Sequence, residues 1–190
     1  YWGPEFGDGR LKQALEDAGV GYAKLPEPEI LSQTADALAD GKIVGWYQGR
    51  MEFGPRALGA RSILGDPRSP KMQATMNLKI KFRESFRPFA PTVLREHVAD
   101  WFELDVDSPY MLLVAPVRRE RRKDLNGLDK LFGVEKLKAI RSEFPAITHV
   151  DGSARVQTVA REDNPRYLRL IEKFYEKTGC PVIVNTSFNV

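Results

Sequence analysis

Apolar positions recur at helical spacing in three places along the chain. Between Gly9 and Gly19 they are Leu11, Leu15 and Ala18, with Gly19 placed as a C-cap. After the breakers Pro26 and Pro28, a second helix is predicted from about Glu29 to Asp40, with Ile30, Thr34, Ala37 and Leu38 on one face and Gly41 ending it. The third runs from Asn164 to Lys177, amphipathic through Leu168, Ile171, Phe174 and Tyr175 and stopped by Gly179. Short β-branched apolar runs predict buried strands at Lys42–Gln48 and Cys180–Val184, a further strand within Tyr110–Val117, and extended segments at Thr148–Val150 and Arg155–Ala160. Gly49–Pro70 reads as a loop with four glycines and three prolines. Lys71–Ile80 has helical character, Pro88 and Pro91 end it, and Thr92 is placed to cap a helix running to Phe102. The charged stretch 118–143 reads as a helical, mobile insertion. Helices alternating with short apolar strands predict an α/β or α+β fold, a mixed sheet flanked by helices.

Composition narrows the class. A chain of 190 residues suggests one domain, or one with a small appendage, and buries about 70% of its unfolded surface without staples. Apolar residues at 42% and charged residues at 29% exclude wholesale disorder. No apolar run approaches the roughly 20 residues of a membrane-spanning helix. Cys180 is the single cysteine, which excludes an intrachain disulfide and a multi-cysteine zinc site and fits a reducing, cytoplasmic setting. The sequence opens without methionine and stops straight after a strand-like run, so it reads as a fragment of a longer protein. Residues 1–28 are expected to be a linker and helix following a preceding domain, and 29–190 a C-terminally truncated domain.

Charge is concentrated. The whole chain carries a formal net charge of +3. Between Arg50 and Arg95, however, seven arginines and three lysines meet only Glu52, Asp66 and Glu84. Such a segment suits an anionic partner, or alternatively a solvated basic face.

Four motifs carry the candidate chemistry. In GRMEFGPRALGARSILGDP, glycines including Gly54 free the backbone to present N–H groups to an anion, and Arg50, Arg56 and Arg61 add planar forks that fit phosphate. It is neither a P-loop nor a dinucleotide fingerprint. The alternative is a tight turn with surface ion pairs. In NLKIKFRESFRPFAP, Lys79, Lys81 and Arg83 alternate with apolar residues, so a strand would set them on one face, with Arg87 a step later. The alternative there is a basic edge strand guarded against aggregation. THVDGSARVQTV holds a turn at Asp151-Gly152-Ser153 and Arg155 as an anion clamp, while His149 is a lone histidine and structural. Asn185, Thr186, Ser187 and Asn189 follow the last strand, where ligands of open α/β sheets bind. No nucleophile–base pair stands out, no histidine is spaced as a metal ligand, and the inventory suits phosphoryl or adenylyl transfer.

Taken together and in order, these four motifs resemble the C-terminal domain of the carbamoyltransferases of nodulation and antibiotic biosynthesis, from about Leu31 to the end. The resemblance implies a YrdC-like twisted mixed sheet that makes carbamoyl-adenylate from carbamoyl phosphate and ATP with Mg²⁺. It also implies an N-terminal Kae1-like domain of the same polypeptide, holding a metal ion absent from this chain, that passes the carbamoyl group to a hydroxyl acceptor. Phosphate handling maps onto Arg56, Lys81, Arg87 and Arg155. Substrate or nucleotide contacts are expected from Arg50, Gly54, Arg61, Arg83, Asn185, Ser187 and Asn189. Water must be kept from such a site, so the isolated fragment is expected to be weakly active or inactive. The expected partners are small molecules and the preceding domain, not a membrane or nucleic acid. Two other readings stay open: threonylcarbamoyl-adenylate synthesis, and an RNA-binding module of the same fold.

Overall fold

The computed structural model describes residues 1–123 and 132–188. Its elements are helix α1 (Asp8–Asp17), α2 (Glu27–Ala39), strands β1 (Val44–Tyr47) and β2 (Arg61–Gly65), α3 (Met72–Met76), β3 (Ala90–Leu94), α4 (Val98–Trp101), β4 (Leu113–Pro116), α5 (Gly133–Lys138), β5 (Ser153–Val159), α6 (Pro165–Thr178) and β6 (Val182–Ser187). The strands form one six-stranded sheet in the order β1-β2-β6-β3-β5-β4. β3 and β5 are parallel and every other neighbouring pair is antiparallel, so the sheet is mixed. This is the expected α+β class.

The amphipathic α6 forms as its sequence dictates. Pro165 sits in its first turn, the Asn164 side chain accepts the Tyr167 N–H at 3.2 Å, and Gly179 closes it in the left-handed region at φ 68°. Tyr167, Leu168, Leu170, Ile171 and Phe174 are buried. α2 packs beside it, pinned by ion pairs from Arg166 and Arg169 to Glu27 and from Lys177 to Asp36. The face of α2 is rotated from the expected one. Leu31, Ala35 and Leu38 are buried, while Ile30 is 39% exposed. α1 buries no residue.

Three strand expectations needed correction. β1 is an edge strand in which Trp46 is the buried residue, so it is not a wholly buried strand. β2 lies inside the stretch read as a loop. Its Ser62–Gly65 are buried between β1 and β6, but so short a run beside four glycines gives little period-2 signal. β3 occupies the place where Thr92 was expected to start a helix. Thr92 pairs instead with Gln157 and Ile183, and helical turns begin at Arg95. Pro91 is tolerated in this central strand because the ladder to β5 begins only at Thr92. The charged insertion lies in part outside the described residues. Its described parts include a 3₁₀ turn at Arg119–Arg121 and α5.

Asn164 ties several elements together. Besides capping α6, its Oδ1 accepts from Gln48 Nε2 at 2.7 Å and its Nδ2 donates to Tyr1 Oη at 2.9 Å. Asn164→Ala should therefore cost about 1–2 kcal/mol in urea unfolding. A loss of a few tenths would mean that the cap carries nothing.

Candidate functional site

The first wall of the site is the loop 52–61, held from behind. Glu52 is buried, and its Oε1 accepts the backbone N–H groups of Leu58 at 2.7 Å, Ala60 at 2.7 Å and Arg61 at 3.2 Å. Two loop carbonyls are held by amides from the sheet: Ala57 O by Asn185 Nδ2 at 3.1 Å, and Leu58 O by Gln157 Nε2 at 3.1 Å. Leu58 O also accepts from Tyr1 Oη at 2.9 Å. Gly59 sits at φ +99°, and a Cβ there would fall 2.3 Å from the buried Tyr167 ring, so only glycine fits. The result is a rigid loop with Arg56 on its outer turn.

The second wall is built by a buried asparagine. After α3 the chain makes one π-helical turn, Asn77–Lys81, and leaves it through Phe82 in the left-handed region at φ 49°. The expected strand alternation of Lys79, Lys81 and Arg83 is therefore wrong. The π-helical turn carries Lys79 and Lys81, while Arg83 follows it and is held by Asn77. Its Nδ2 donates to Ser85 O at 3.2 Å and Arg87 O at 2.7 Å, while its Oδ1 accepts from Arg83 Nε at 2.6 Å. Arg83 also lies 4.9 Å from the Phe89 ring centroid.

The sheet supplies the floor. Strand register sets Arg155 and Gln157 of β5, Thr92 of β3, and Asn185 and Ser187 of β6 on one face. Ligands were expected beyond strand carboxyl ends. That holds for β6, whereas the antiparallel β3 and β5 present their amino ends here. Met111, left-handed at φ 56°, is buried against Arg155, whose Nη2 lies 3.9 Å from its Sδ. Non-glycine residues with positive φ are costly, and both lie beside this site.

These walls enclose a cavity of about 250 Å³ lined by Arg56, Lys81, Arg83, Arg87 and Arg155 together with Asn185, Thr186 and Ser187. Among the described residues, no carboxylate lines it. Among the described residues, none of the five cations has an ion-pair partner. Lys81 Nζ donates to the Ser187 carbonyl and lies 3.4 Å from its Oγ. Burial and then the neighbouring Arg83 hold the Lys81 ammonium below the usual lysine value. Burial and Arg87 act the same way on Arg83, as do burial and Arg56 on Arg155. Like charges held together in a partly desolvated cavity call for an anion. Arg56 Nε and Arg155 Nε are buried without a hydrogen-bond acceptor.

Seven of the eleven sequence candidates thus line one cavity: Arg56, Lys81, Arg83, Arg87, Arg155, Asn185 and Ser187. Gly54 lies on an adjoining cavity that shares Arg56 and Ser187. Arg61 stacks on the Tyr47 ring at 3.5 Å and donates to the carbonyls of Gln48 and Gly49. Arg50 turns away to Gly3 O at 3.2 Å and Glu5 at 4.0 Å. Asn189 lies outside the described residues. His149 is 3.0 Å from Ser153 Oγ through Nδ1 and is kept from protonating chiefly by burial, a structural setting. Cys180 is buried, which pushes its thiol up to about 12 and leaves it inert. Glu52, Asn77, Thr92, Gln157 and Met111 were missed. Only Glu52 left a trace in the sequence, as the single acidic residue among the glycines and arginines of its loop.

The family model described as carbamoyltransferase C-terminus matches residues 35–190. The chain belongs to this family. It is 56% identical over its whole length to an uncharacterised Synechocystis protein, covering 31% of that protein. It is 42% identical over its whole length to nodulation protein NolNO of Sinorhizobium fredii, covering 26% of it. Over 83% of its length it is 40% identical to the 3'-hydroxymethylcephem-O-carbamoyltransferase of Amycolatopsis lactamdurans, covering 26% of that enzyme. The chain of this carbamoyltransferase family member thus spans about a third or less of the curated relatives it matches.

Two outcomes follow from the unpaired cations. Pyrophosphate should raise the melting temperature well beyond chloride of equal ionic strength, and Lys81→Met should abolish most of that rise. Ligand at a hundredfold over its dissociation constant contributes about 2.7 kcal/mol. The pH dependence has a defined sign. Between the lowered Lys81 value and the ordinary 10.5, the unfolded chain binds more protons. Anion-free stability should then rise with pH through that window more in the wild type than in Lys81→Met, which urea titrations at several pH values would measure.

Proposed function

We propose that this cavity makes carbamoyl-adenylate from carbamoyl phosphate and Mg-ATP. It would be one half of an O-carbamoyltransferase whose Kae1-like N-terminal half delivers the carbamoyl group to a hydroxyl. One observation carries the reading. Five cations that form no ion pair among the described residues converge on one small cavity, in a chain similar to an O-carbamoyltransferase. Such a site has little acid–base chemistry to offer and a great deal of charge neutralisation, which is what phosphoryl and adenylyl transfer require.

Carbamoyl phosphate gives up its phosphoryl group to water, leaving carbamate and inorganic phosphate. A carbamate oxygen then forms a bond to the α-phosphorus of ATP while the bond to the bridging β-oxygen breaks, and pyrophosphate leaves. Arg56, Lys81, Arg83, Arg87 and Arg155 hold the anions in line and stabilise the charge that grows on the leaving oxygen. At about 250 Å³ the cavity is too small for a whole nucleotide. The adjoining apolar cavity of about 580 Å³, bounded by Tyr47, Met51 and Phe188, offers room for the nucleoside. Among the described residues, the cationic cavity has no carboxylate to hold a divalent ion. Mg²⁺ therefore belongs to the substrate Mg-ATP, and no step is assigned to it.

Calorimetric titration of Mg-ATP should give saturable one-to-one binding, weakened about tenfold or more by Lys81→Ala. Carbamoyl phosphate should then promote exchange of labelled pyrophosphate into ATP. Exchange that needs threonine and bicarbonate instead would move the chain to threonylcarbamoyl-adenylate synthesis. Affinity for RNA that collapses with salt would make it a nucleic-acid module.

A further inference from the structure

Asn185 is 1% exposed and lines the floor of the cationic cavity. Its amide nitrogen faces three acceptors: Ala57 O at 3.1 Å, Thr92 Oγ1 at 3.1 Å and Gln157 Oε1 at 2.9 Å. Exchanging the amide nitrogen and oxygen would set an oxygen against all three, so the surrounding network fixes the orientation. Gln157 is itself fixed, because its Nε2 donates to Leu58 O at 3.1 Å while Thr92 Oγ1 donates to its Oε1 at 2.6 Å. The remaining atom, Asn185 Oδ1, is buried and meets no donor among the described residues. A buried acceptor without a donor is costly and calls for an explanation.

The orphaned polar atoms of this cavity are of two kinds. Arg56 Nε and Arg155 Nε are donors lacking an acceptor, and Asn185 Oδ1 is an acceptor lacking a donor. A phosphate group satisfies the first kind only. A ligand that satisfies both carries phosphoryl oxygens and an N–H group a few bonds apart.

The geometry points to Asn185 as the residue that selects an amide-bearing acyl phosphate, its Oδ1 accepting a hydrogen bond from the carbamoyl NH₂ while the arginines hold the phosphoryl oxygens. This rests on the anion-binding reading above and adds the discrimination of carbamoyl from acetyl. Acetyl phosphate has the same shape with a methyl in place of NH₂. In this site the methyl has no hydrogen to give Oδ1 and would leave that acceptor unpaired. A site built to hydrogen-bond a substrate group rejects the analogue lacking it far better than a merely apolar pocket does.

Hydrolytically stable probes separate the two claims. Phosphonoacetamide carries the amide, acetonylphosphonate carries methyl in its place, and inorganic phosphate reports the cations alone. With the 190-residue chain, calorimetry should show phosphate binding and a preference for the amide over the ketone of about ten- to a hundredfold. In Asn185→Ala the amide-to-ketone preference should fall to about one; it is a ratio between two probes on the same variant, so any loss of phosphate affinity from loosening the loop at Ala57 is common to both and cancels. If Asn185→Ala fails to fold, the comparison of the two probes on the wild type still decides. Phosphate binding with equal affinity for amide and ketone would overturn the assignment of Asn185 and leave the anion site standing. Absence of binding by all three probes would overturn both.

Discussion

A buried carboxylate with three backbone N–H donors is the constraint on which the site depends. Isolated, an ionised Glu52 so far from water would be untenable, and charge-assisted bonds from Leu58, Ala60 and Arg61 are what make it tolerable. Those bonds curl the loop around the carboxylate, so its turn projects Arg56 in the opposite sense. The same residue lines the cavity beside Tyr1, Phe53 and Leu58 and, with Arg56 and Arg61, the adjoining apolar one, but it does not line the cationic one. The carboxylate that organises the loop thus stays out of the cationic cavity that the loop walls.

The second half of that arrangement is a network of neutral side chains. Tyr167 donates to Thr92, Thr92 to Gln157, and Asn185 to both, before Gln157 and Asn185 reach the loop carbonyls. Helix, central strands and loop are locked by hydrogen bonds that carry no net charge. Asn77 does the same for the opposite wall. A cavity that concentrates five cations stores repulsion, and neutral amides can hold its walls without relieving that repulsion in advance of the ligand. Local strain follows the same logic: among the described residues the non-glycine positions with positive φ are Met111, which lines the cavity, and Phe82, which lies between its lining residues Lys81 and Arg83.

What the sequence revealed and what it hid divide along physical lines. α6 was legible because its cap, its apolar stripe and its terminal glycine are all local signals. The cations were legible because charge in a glycine-rich context is a chemical statement needing no coordinates. Five of them and two polar candidates do meet in one cavity, yet the reason given for Lys79, Lys81 and Arg83 was wrong, because a π-helical turn carries the two lysines and a buried asparagine holds Arg83. Arg61 lines the adjoining cavity and not the cationic one. Its motif looked like its neighbours', but its side chain folds back onto Tyr47 and backbone carbonyls. β2 and β3 were hidden by glycine and proline, whose local preferences are overridden by pairing with distant β6. Thr92, Gln157 and Asn185 lie far apart in the chain and meet only through strand register, which no single-residue pattern encodes.

The two adjoining cavities give Arg56 a position that no other cation of the site shares. It lines both the cationic cavity and the apolar one, as Pro55, Ala57 and Ser187 also do. On the proposed reading, a nucleotide spanning them must place at that boundary the phosphate nearest the nucleoside, which is the α-phosphate. The β- and γ-phosphates then fall among Lys81, Arg83 and Arg87, and Arg155 is left beside Arg56 for the acyl phosphate. Attack by carbamate at the α-phosphorus is therefore the displacement that the layout of charge favours: it drives the leaving pyrophosphate toward the wall with three cations and keeps the new bond over the pair.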